Sequence, residues 1–217
     1  QAYNEGDTLY LQVLANGTGS HAGTLVTTAE ANTFGVRWTR VGTSTGAWYT
    51  HFIPNEVMLA SENIYRVGLR IRVEAIPDAT DDYNFAFGMS TGTTGFSTDE
   101  MCIVFDRALS TTNLYAQTKS GGTATTTDTG VAWNNSSYFN LEIDIDQDGS
   151  EVIFYINGAT VATHTTNVTG SDLLNFICGA AVGAANTNTR EFYHDYMYLA
   201  YKPTVARGSV ASGGPFA

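Results

Sequence analysis

Hydrophobic and polar residues alternate with a period of two in short runs along this chain, and Gly, Asn, Asp, Ser or Thr separate the runs. The alternation is sharpest in residues 66–76, where aliphatic and charged side chains point to opposite sides: Val67, Leu69, Ile71 and Val73 against Arg66, Arg70, Arg72 and Glu74. Successive residues of a strand lie on opposite faces, so this run predicts a strand with one buried and one charged, solvated face. A helical 3.6-residue period is hard to find, and the pattern therefore predicts an all-β protein.

The same reasoning predicts further strands at Thr33–Arg40, Tyr83–Ser90, Met101–Arg107, Asn113–Thr118, Leu173–Val182 and Arg190–Lys202. Lys119–Gly130 is a Gly- and Thr-rich stretch of low hydrophobicity, which predicts either a strand at a sheet edge or a mobile loop.

The clearest supersecondary unit is a hairpin in which Tyr138–Asp146 and Glu151–Asn157 alternate on either side of the turn Gln147–Ser150. Asn157-Gly158 is a second turn signal, and it leads into Ala159–His164. These three strands are predicted to form a meander.

Length and composition favour one β-rich domain. The chain has 217 residues, of which 43% are hydrophobic and 14% charged, and no apolar run is long enough to span a bilayer. We expect a sandwich over residues 1–203, with residues 1–30 as an alternative N-terminal arm. Residues 204–217 form a Gly-rich tail that has no core pattern and that becomes ordered only if another chain packs on it. We expect one or both termini to contact neighbouring subunits, in a homo-oligomer or in a protein bound to a larger lattice.

The net charge of −11, from 10 basic and 21 acidic residues, argues against nucleic acid and anionic membranes as partners, because both require clustered Lys and Arg. Cys102 and Cys178 lie in apolar runs and are predicted to be buried free thiols, with a single buried disulfide as the alternative.

The segment from about residue 66 to 201 carries several recognisable phrases: Tyr83-Asn-Phe-Ala-Phe-Gly-Met, Phe139-Asn-Leu-Glu-Ile-Asp-Ile, Val152-Ile-Phe-Tyr-Ile-Asn-Gly and Asp195-Tyr-Met-Tyr-Leu. In these residues the chain resembles the concanavalin-like, laminin-G-like jelly rolls, in a form that recurs among tailed-phage structural proteins. The resemblance implies an antiparallel jelly-roll sandwich, and it speaks more directly to fold than to function.

Three carboxylates alternate in Glu142-Ile-Asp144-Ile-Asp146, similar to the carboxylate strand of glucanases that share the concanavalin-like fold. Same-face neighbours on a strand lie about 7 Å apart, and a retaining glycosidase needs its two carboxyls roughly 5 to 5.5 Å apart. If the roles of the glucanase strand applied here, Glu142 would be the nucleophile, Asp144 its orienting neighbour, and Asp146 an acid/base that is one methylene shorter than the usual Glu. The alternative is a solvated acidic strand face, which we expect because no aromatic residue flanks the carboxylates in sequence.

Calcium is the only cofactor that the sequence raises. Asp144-x-Asp146-x-Asp148-Gly149 has the opening of a calcium loop, but the twelfth position is Tyr155 instead of Glu, and the predicted hairpin occupies the same residues. A second acidic loop, Asp78, Asp81 and Asp82, is either a solvated turn or a metal site. We therefore predict no cofactor.

Aromatic residues near predicted loops or strand ends could stack on sugar rings, and the candidates are Trp48, Tyr49, Trp133 and Tyr138. The alternative for each is packing in or at the rim of the core. The four histidines are isolated from one another in sequence and lack metal-ligand spacing.

These observations predict a structural protein without enzymatic activity on a phage virion surface, as a head decoration or a tail or fibre component. It would contact copies of itself, capsid or tail proteins and host glycans. The alternative is a secreted, extracellular carbohydrate-binding module or lectin, and the third hypothesis is a glycoside hydrolase or polysaccharide lyase.

Overall fold

The computed structural model of the chain describes residues 10–17, 21–25, 36–40, 46–53, 58–59, 63–73, 76–77, 83–91, 98–146, 149–169, 173–182 and 190–203. Within these residues the regular secondary structure consists of β-strands, joined by turns and irregular segments: β1 (Tyr10–Gly17), β2 (His21–Leu25), β3 (Val36–Arg40), β4 (Gly46–Ile53), β5 (Met58–Leu59), β6 (Asn63–Val73), β7 (Asn84–Ser90), β8 (Glu100–Phe105), β9 (Asn113–Ser120), β10 (Thr123–Ala132), β11 (Phe139–Ile145), β12 (Val152–Ile156), β13 (Ala159–His164), β14 (Leu173–Val182) and β15 (Arg190–Pro203). None of the described residues belongs to a helix long and apolar enough to cross a membrane.

The described strands form two antiparallel sheets. Sheet I has the order β1-β4-β14-β7-β8-β9-β10, with the short β5 also paired to β14, and sheet II has the order β13-β12-β11-β6-β15-β3-β2. Neighbours in each sheet are often distant in sequence, so the chain crosses repeatedly between the sheets. This arrangement confirms the prediction of an all-β jelly-roll sandwich.

The core lies between the sheets and follows the two-residue period of the strands. In β11 and β12 every second residue is buried, and β6 buries the aliphatic set Val67, Leu69, Ile71 and Val73. Sheet I contributes larger side chains to the same cluster: Phe85, Phe87, Met89, Met101, Ile103 and Phe105. Each such side chain stabilises the fold by about 1.5–3 kcal/mol when it leaves water.

Trp133 closes one end of this core, so of the two possibilities for this residue core packing is the one observed, and it is not an exposed sugar-binding ring. Its side chain is 2% exposed, and its ring lies 5.2 Å from the rings of both Phe85 and Phe139. Residue 133 follows β10, where the chain passes from sheet I to sheet II, and its large apolar ring fills the space between the sheets. Burial raises the pKa of the neighbouring Tyr83 well above its ordinary value.

The predicted hairpin is present. Ile145 pairs with Val152 across the first turn, and Ile156 pairs with Ala159 across the second. Asn157 and Gly158 have φ values of 53° and 80°, the left-handed conformation that a tight two-residue turn requires. Strands β11, β12 and β13 pair in that order and antiparallel, with β13 at the edge of sheet II, so the meander is also confirmed.

Cys102 and Cys178 are both free and buried. Cys178 pairs with Phe87, which pairs with Ile103, so β7 separates the two cysteine-bearing strands. Cys178 belongs to the core between the sheets, whereas Cys102 belongs to a separate apolar cluster. This confirms the prediction of free thiols, because strands two spacings apart place Cα atoms about 9.6 Å from each other, too far for a disulfide.

The edges of the sandwich include segments that the sequence treated as uncertain. β10 is the last strand of sheet I, as expected for a strand at a sheet edge. Within residues 1–30, β1 and β2 pair at the far edges of sheets I and II. The Gly-rich tail, residues 204–217, lies outside the described residues.

Candidate functional site

The outer face of sheet II presents arginines and tyrosines from three adjacent structural segments. We call this surface the Tyr–Arg face and define it by the partly or fully exposed side chains Arg66, Arg70 and Arg72 of β6, Tyr138 just before β11, and Tyr193, Tyr196 and Tyr198 of β15. On β6 the arginines alternate with the aliphatic residues of the core, so packing of the sandwich forces them outward.

Strand register brings these side chains together. Tyr193 pairs with Arg72, Tyr196 with Arg70 and Tyr198 with Gly68. A register shift between His194 and Tyr196 adds one residue to β15, so Tyr193 and Tyr196 lie on the same face although they are three positions apart.

Arg70 contacts one tyrosine ring, and Arg72 lies between two. The Arg70 guanidinium carbon is 4.7 Å from the Tyr138 ring centroid, and that of Arg72 is 5.5 Å from Tyr138 and 4.5 Å from Tyr193. These distances lie in the range of cation–π contacts. These contacts form an aromatic and cationic ladder that runs from Tyr138, just before β11, across β6 to β15.

Tyr198 lies across Gly68 and reaches Glu142 on the next strand. Its hydroxyl donates a 2.6 Å hydrogen bond to Glu142 Oε1. A Cβ atom at residue 68 would lie 2.1 Å from Tyr198 Cε1, so only glycine leaves room for this ring. Burial and the contact with Glu142 raise the pKa of Tyr198 well above its ordinary value, and the hydroxyl stays protonated as a donor.

Asp144 is held by Arg66, its directly opposite neighbour on β6. The Nε and Nη2 atoms of Arg66 donate to the two carboxylate oxygens, which is the bidentate geometry that strengthens such pairs. The side chains are 48% and 24% exposed respectively, so solvent screens part of the attraction.

Asp146 does not continue the carboxylate row but closes the hairpin turn. Its Oδ1 accepts hydrogen bonds from the backbone N–H groups of Ser150 and Glu151 at 2.7 and 3.0 Å, and Oδ2 accepts from the Ser150 hydroxyl at 2.8 Å. Burial by itself raises the pKa of Asp146, but these hydrogen bonds outweigh it and lower the pKa below its usual value.

The three carboxylates of the proposed glycosidase strand therefore have different partners: Tyr198, Arg66 and the turn backbone. All three side chains are half-buried, so the predicted acidic strand face is only partly solvated. An open depression of about 330 Å³ lies at the hairpin end, lined by Arg66, Asp144, Ile145, Asp146, Glu151 and Ile153. It lies next to carboxylates that already accept hydrogen bonds within the fold.

The remaining aromatic and acidic candidates lie in different parts of the chain. Tyr138 is half-buried in the Tyr–Arg face, and Trp133 is in the core. Trp48 and Tyr49 lie on β4 and pair with Ala180 and Gly179, but their side chains are outside the described part of the chain. Asp78, Asp81 and Asp82 are also outside it. Among the residues that the structure describes, no group of three His, Cys, Asp or Glu side chains could hold a metal ion.

A second polar cluster, which sequence reasoning missed, joins the two sheets at their β10 and β13 edges. His164 is 4% exposed, and its Nδ1 and Nε2 atoms lie 3.0 and 2.8 Å from the hydroxyls of Thr118 and Thr127. Nearby, the hydroxyl oxygens of Thr125 and Thr166 lie 2.8 Å apart and share a hydrogen bond. We call this group the edge clasp. Burial lowers the pKa of His164, which keeps the ring neutral.

No model of a known protein family matches the chain, and no curated protein matches it. Its fold is similar to alginate lyase AlyC3 in complex with dimannuronate, with a TM-score of 0.57 and 9% identity over 79% of this chain and 76% of that chain. It is also similar to the binding domain of botulinum neurotoxin DC in complex with rat synaptotagmin II, with a TM-score of 0.54 and 12% identity over 85% of this chain and 43% of that chain.

A third similar structure concerns botulinum neurotoxin type C, whose cell entry depends on interaction with two ganglioside molecules; its TM-score is 0.55 at 11% identity over 85% of this chain and 42% of that chain. The present chain thus spans less than half of the toxin chains. At these identities the likeness shows a concanavalin-like jelly-roll sandwich and nothing about activity.

Proposed function

We propose that this protein is a glycan-binding domain, and that the Tyr–Arg face of sheet II is its binding surface. The proposal rests mainly on the ladder in which Tyr138 and Tyr193 enclose Arg72 on the solvent side of the sheet. Sugar rings offer C–H faces that pack on aromatic rings and hydroxyls that pair with arginine donors, and this surface supplies both groups side by side.

The similar folds support the same proposal. Alginate lyase AlyC3, which matches this chain over 76% of its own length, is in complex with dimannuronate, so a protein of unrelated sequence and similar fold binds a glycan. This support is an analogy of fold, whereas the ladder belongs to this chain.

We further propose that the domain binds its glycan without cleaving it. A retaining glycosidase needs one carboxylate to attack and another to donate a proton. Here Glu142 accepts from Tyr198, Asp144 is paired with Arg66, and Asp146 closes a turn. Incubation with β-glucans and alginate should release neither reducing ends nor unsaturated sugars. A cleavage activity of either kind would overturn this part of the proposal, and its loss in Glu142→Gln would assign it to this carboxylate strand.

The binding test compares two side chains that are each 42% exposed. Tyr196 lies in the Tyr–Arg face, and Leu109 lies in the turn after β8 of sheet I. A glycan array should identify ligands of the parent protein, and calorimetry should then show about fivefold weaker binding for Tyr196→Ala, because an aromatic contact contributes about 1 kcal/mol. Leu109→Ala should bind like the parent. Absence of binding to the array, or equal effects of the two variants, would contradict the proposal.

The setting on a virion surface stays a prediction, with a secreted protein as its alternative. Binding to a host glycan is compatible with both, and none of the similar structures named above is a phage protein. Detection of the chain in purified particles, and light scattering for the homo-oligomer, would test the setting and the partners.

A further inference from the structure

Basic residues are scarce in this chain, yet three of them share one face of one strand. The whole sequence has 10 Lys and Arg against 21 Asp and Glu, and Arg66, Arg70 and Arg72 all project from the outer side of β6. Arg70 and Arg72 are neighbours on that face, about 7 Å apart along the strand. Two guanidinium groups at this spacing can both donate to one anionic group that lies between them.

We infer that the Tyr–Arg face recognises a carboxylated glycan, with the sugar carboxylate held by Arg70 and Arg72. This inference rests on the proposed function and names its ligand class.

The stacking geometry suits this ligand. A guanidinium that lies over an aromatic ring uses its flat face, while its five N–H donors lie in the plane of the group and point sideways. Tyr138 contacts both guanidinium groups and Tyr193 contacts that of Arg72, and the in-plane donors are the part of each group that can bind a carboxylate. Both arginines also make other contacts within the protein, and with five donors each they can add a ligand contact. A carboxylate matches the planar, two-pronged donor edge of arginine.

The direct neighbours of the two arginines fit the rest of a sugar chain. Arg70 pairs in register with Asn140 on one side and Tyr196 on the other, and the Tyr196 hydroxyl donates to Asn140 Oδ1 at 3.2 Å. The tyrosine series on β15, from Tyr193 to Tyr198, pairs with Arg72 to Gly68 of β6 and so extends about 13 Å along the sheet. This length suits an oligosaccharide better than a single sugar.

The test uses an oligomannuronate and the same oligosaccharide after chemical reduction of its carboxylates to alcohols, so that the two ligands differ only in charge. The parent should bind the uronate form at least about tenfold more tightly, because hydrogen bonds to charged groups are the strong ones. The double variant Arg70→Gln/Arg72→Gln should lose this preference and bind both forms equally. Arg107→Gln, which removes a positive charge outside the Tyr–Arg face, should retain the preference.

The outcomes separate this inference from the proposed function. Equal binding of both oligosaccharides by the parent, with loss in Tyr196→Ala, would overturn the carboxylate inference and retain glycan binding. Tighter binding of a sulfated oligosaccharide of equal length would likewise overturn it. Failure of every glycan on the array to bind would overturn both. Circular dichroism and melting curves of each variant ensure that a lost preference comes from folded protein.

Discussion

The outer faces of the two sheets differ in what they expose. On sheet I, Ala86, Cys102, Val104 and Ile177 form a second apolar cluster that is at most 1% exposed. On sheet II, the outer face carries large polar side chains that are partly or fully exposed. Both sheets bury their inner faces in the same way, so the difference comes from the outward positions alone. It identifies sheet II as the described face on which a ligand can reach several aromatic and cationic groups.

Two ion pairs make the comparison quantitative, because each joins directly opposite residues on neighbouring strands. Glu100 of sheet I is fully buried and lies 3.3 Å from Lys119, whereas Arg66 and Asp144 of sheet II are half-exposed. The largest predicted effect is for Lys119→Met, which removes the cation beside a buried charge and should lower the free energy of unfolding by about 3 kcal/mol. The matched change Arg66→Met should cost below about 1 kcal/mol. Urea denaturation measures both, and equal losses would contradict the distinction between the faces.

The edge clasp offers the next test, since it holds the two sheets together by neutral hydrogen bonds. His164→Leu removes both ring contacts and leaves the Thr127 hydroxyl without its ring partner, so stability should fall by about 2 kcal/mol. Thr163→Val, at the exposed neighbouring position of β13, serves as the control and should change stability by less than about 0.5 kcal/mol. If both variants unfold at the same urea concentration, the clasp does not stabilise the fold.

Acid should weaken the same clasp. Burial lowers the pKa of His164 below 6.5, so as the pH falls the unfolded chain takes up the proton before the folded protein does. The stabilising contribution of the neutral ring is present above pH 6.5 and is lost as the pH falls through the lowered pKa. Protonation of His164 should lower the free energy of unfolding by no more than His164→Leu does, because a clasp that opens has lost the same hydrogen bonds. Between pH 8 and pH 5 the free energy of unfolding should decline more steeply in the parent than in His164→Leu. Parallel pH dependences of the two proteins would refute this assignment.

A smaller effect is expected at Gly68, on the Tyr–Arg face. Gly68→Ala places a methyl group against the Tyr198 ring and should displace it from Glu142, at a cost of about 1 kcal/mol for the lost hydrogen bond. In the Tyr198→Ala background the same change should be neutral or stabilising, because the collision is gone and glycine is the more flexible residue. A double-mutant cycle measures this coupling, and additive effects would show that the ring does not depend on Gly68.

No effect is expected from chelation. Asp146 closes the hairpin turn with its own hydrogen bonds, so removing calcium with a chelator should leave the melting temperature unchanged. A fall of several degrees would instead indicate a bound ion that stabilises the folded state.

Much of the fold could be predicted from sequence because alternation is a local property of the strand. The pattern of Arg66–Ile76 predicted both the buried aliphatic side and the outward arginines of β6, and the turn residues Asn157 and Gly158 predicted the second hairpin turn. Strands β1 and β2 were not predicted individually from the sequence, and both lie at sheet edges, where only one neighbouring strand constrains the pattern.

The candidate site was predicted only in part. Tyr138 and the three arginines could be found from their positions, but alternation alone places Tyr193 and Tyr196 on opposite faces. The register shift between His194 and Tyr196 reverses that assignment, and a shift of this kind depends on pairing with β6 and not on the local sequence.

The amino-acid sequence by itself determined the β-strand class, the turns of the meander, and which side of each well-patterned strand faces the core, since backbone geometry sets these over a few residues. Only the tertiary structure decided that Trp133 is buried, that His164 meets threonines about 40 residues away in sequence, and that Tyr198 crosses Gly68 to reach Glu142. Those contacts join strands that are distant along the chain, and the packing of the two sheets brings them together.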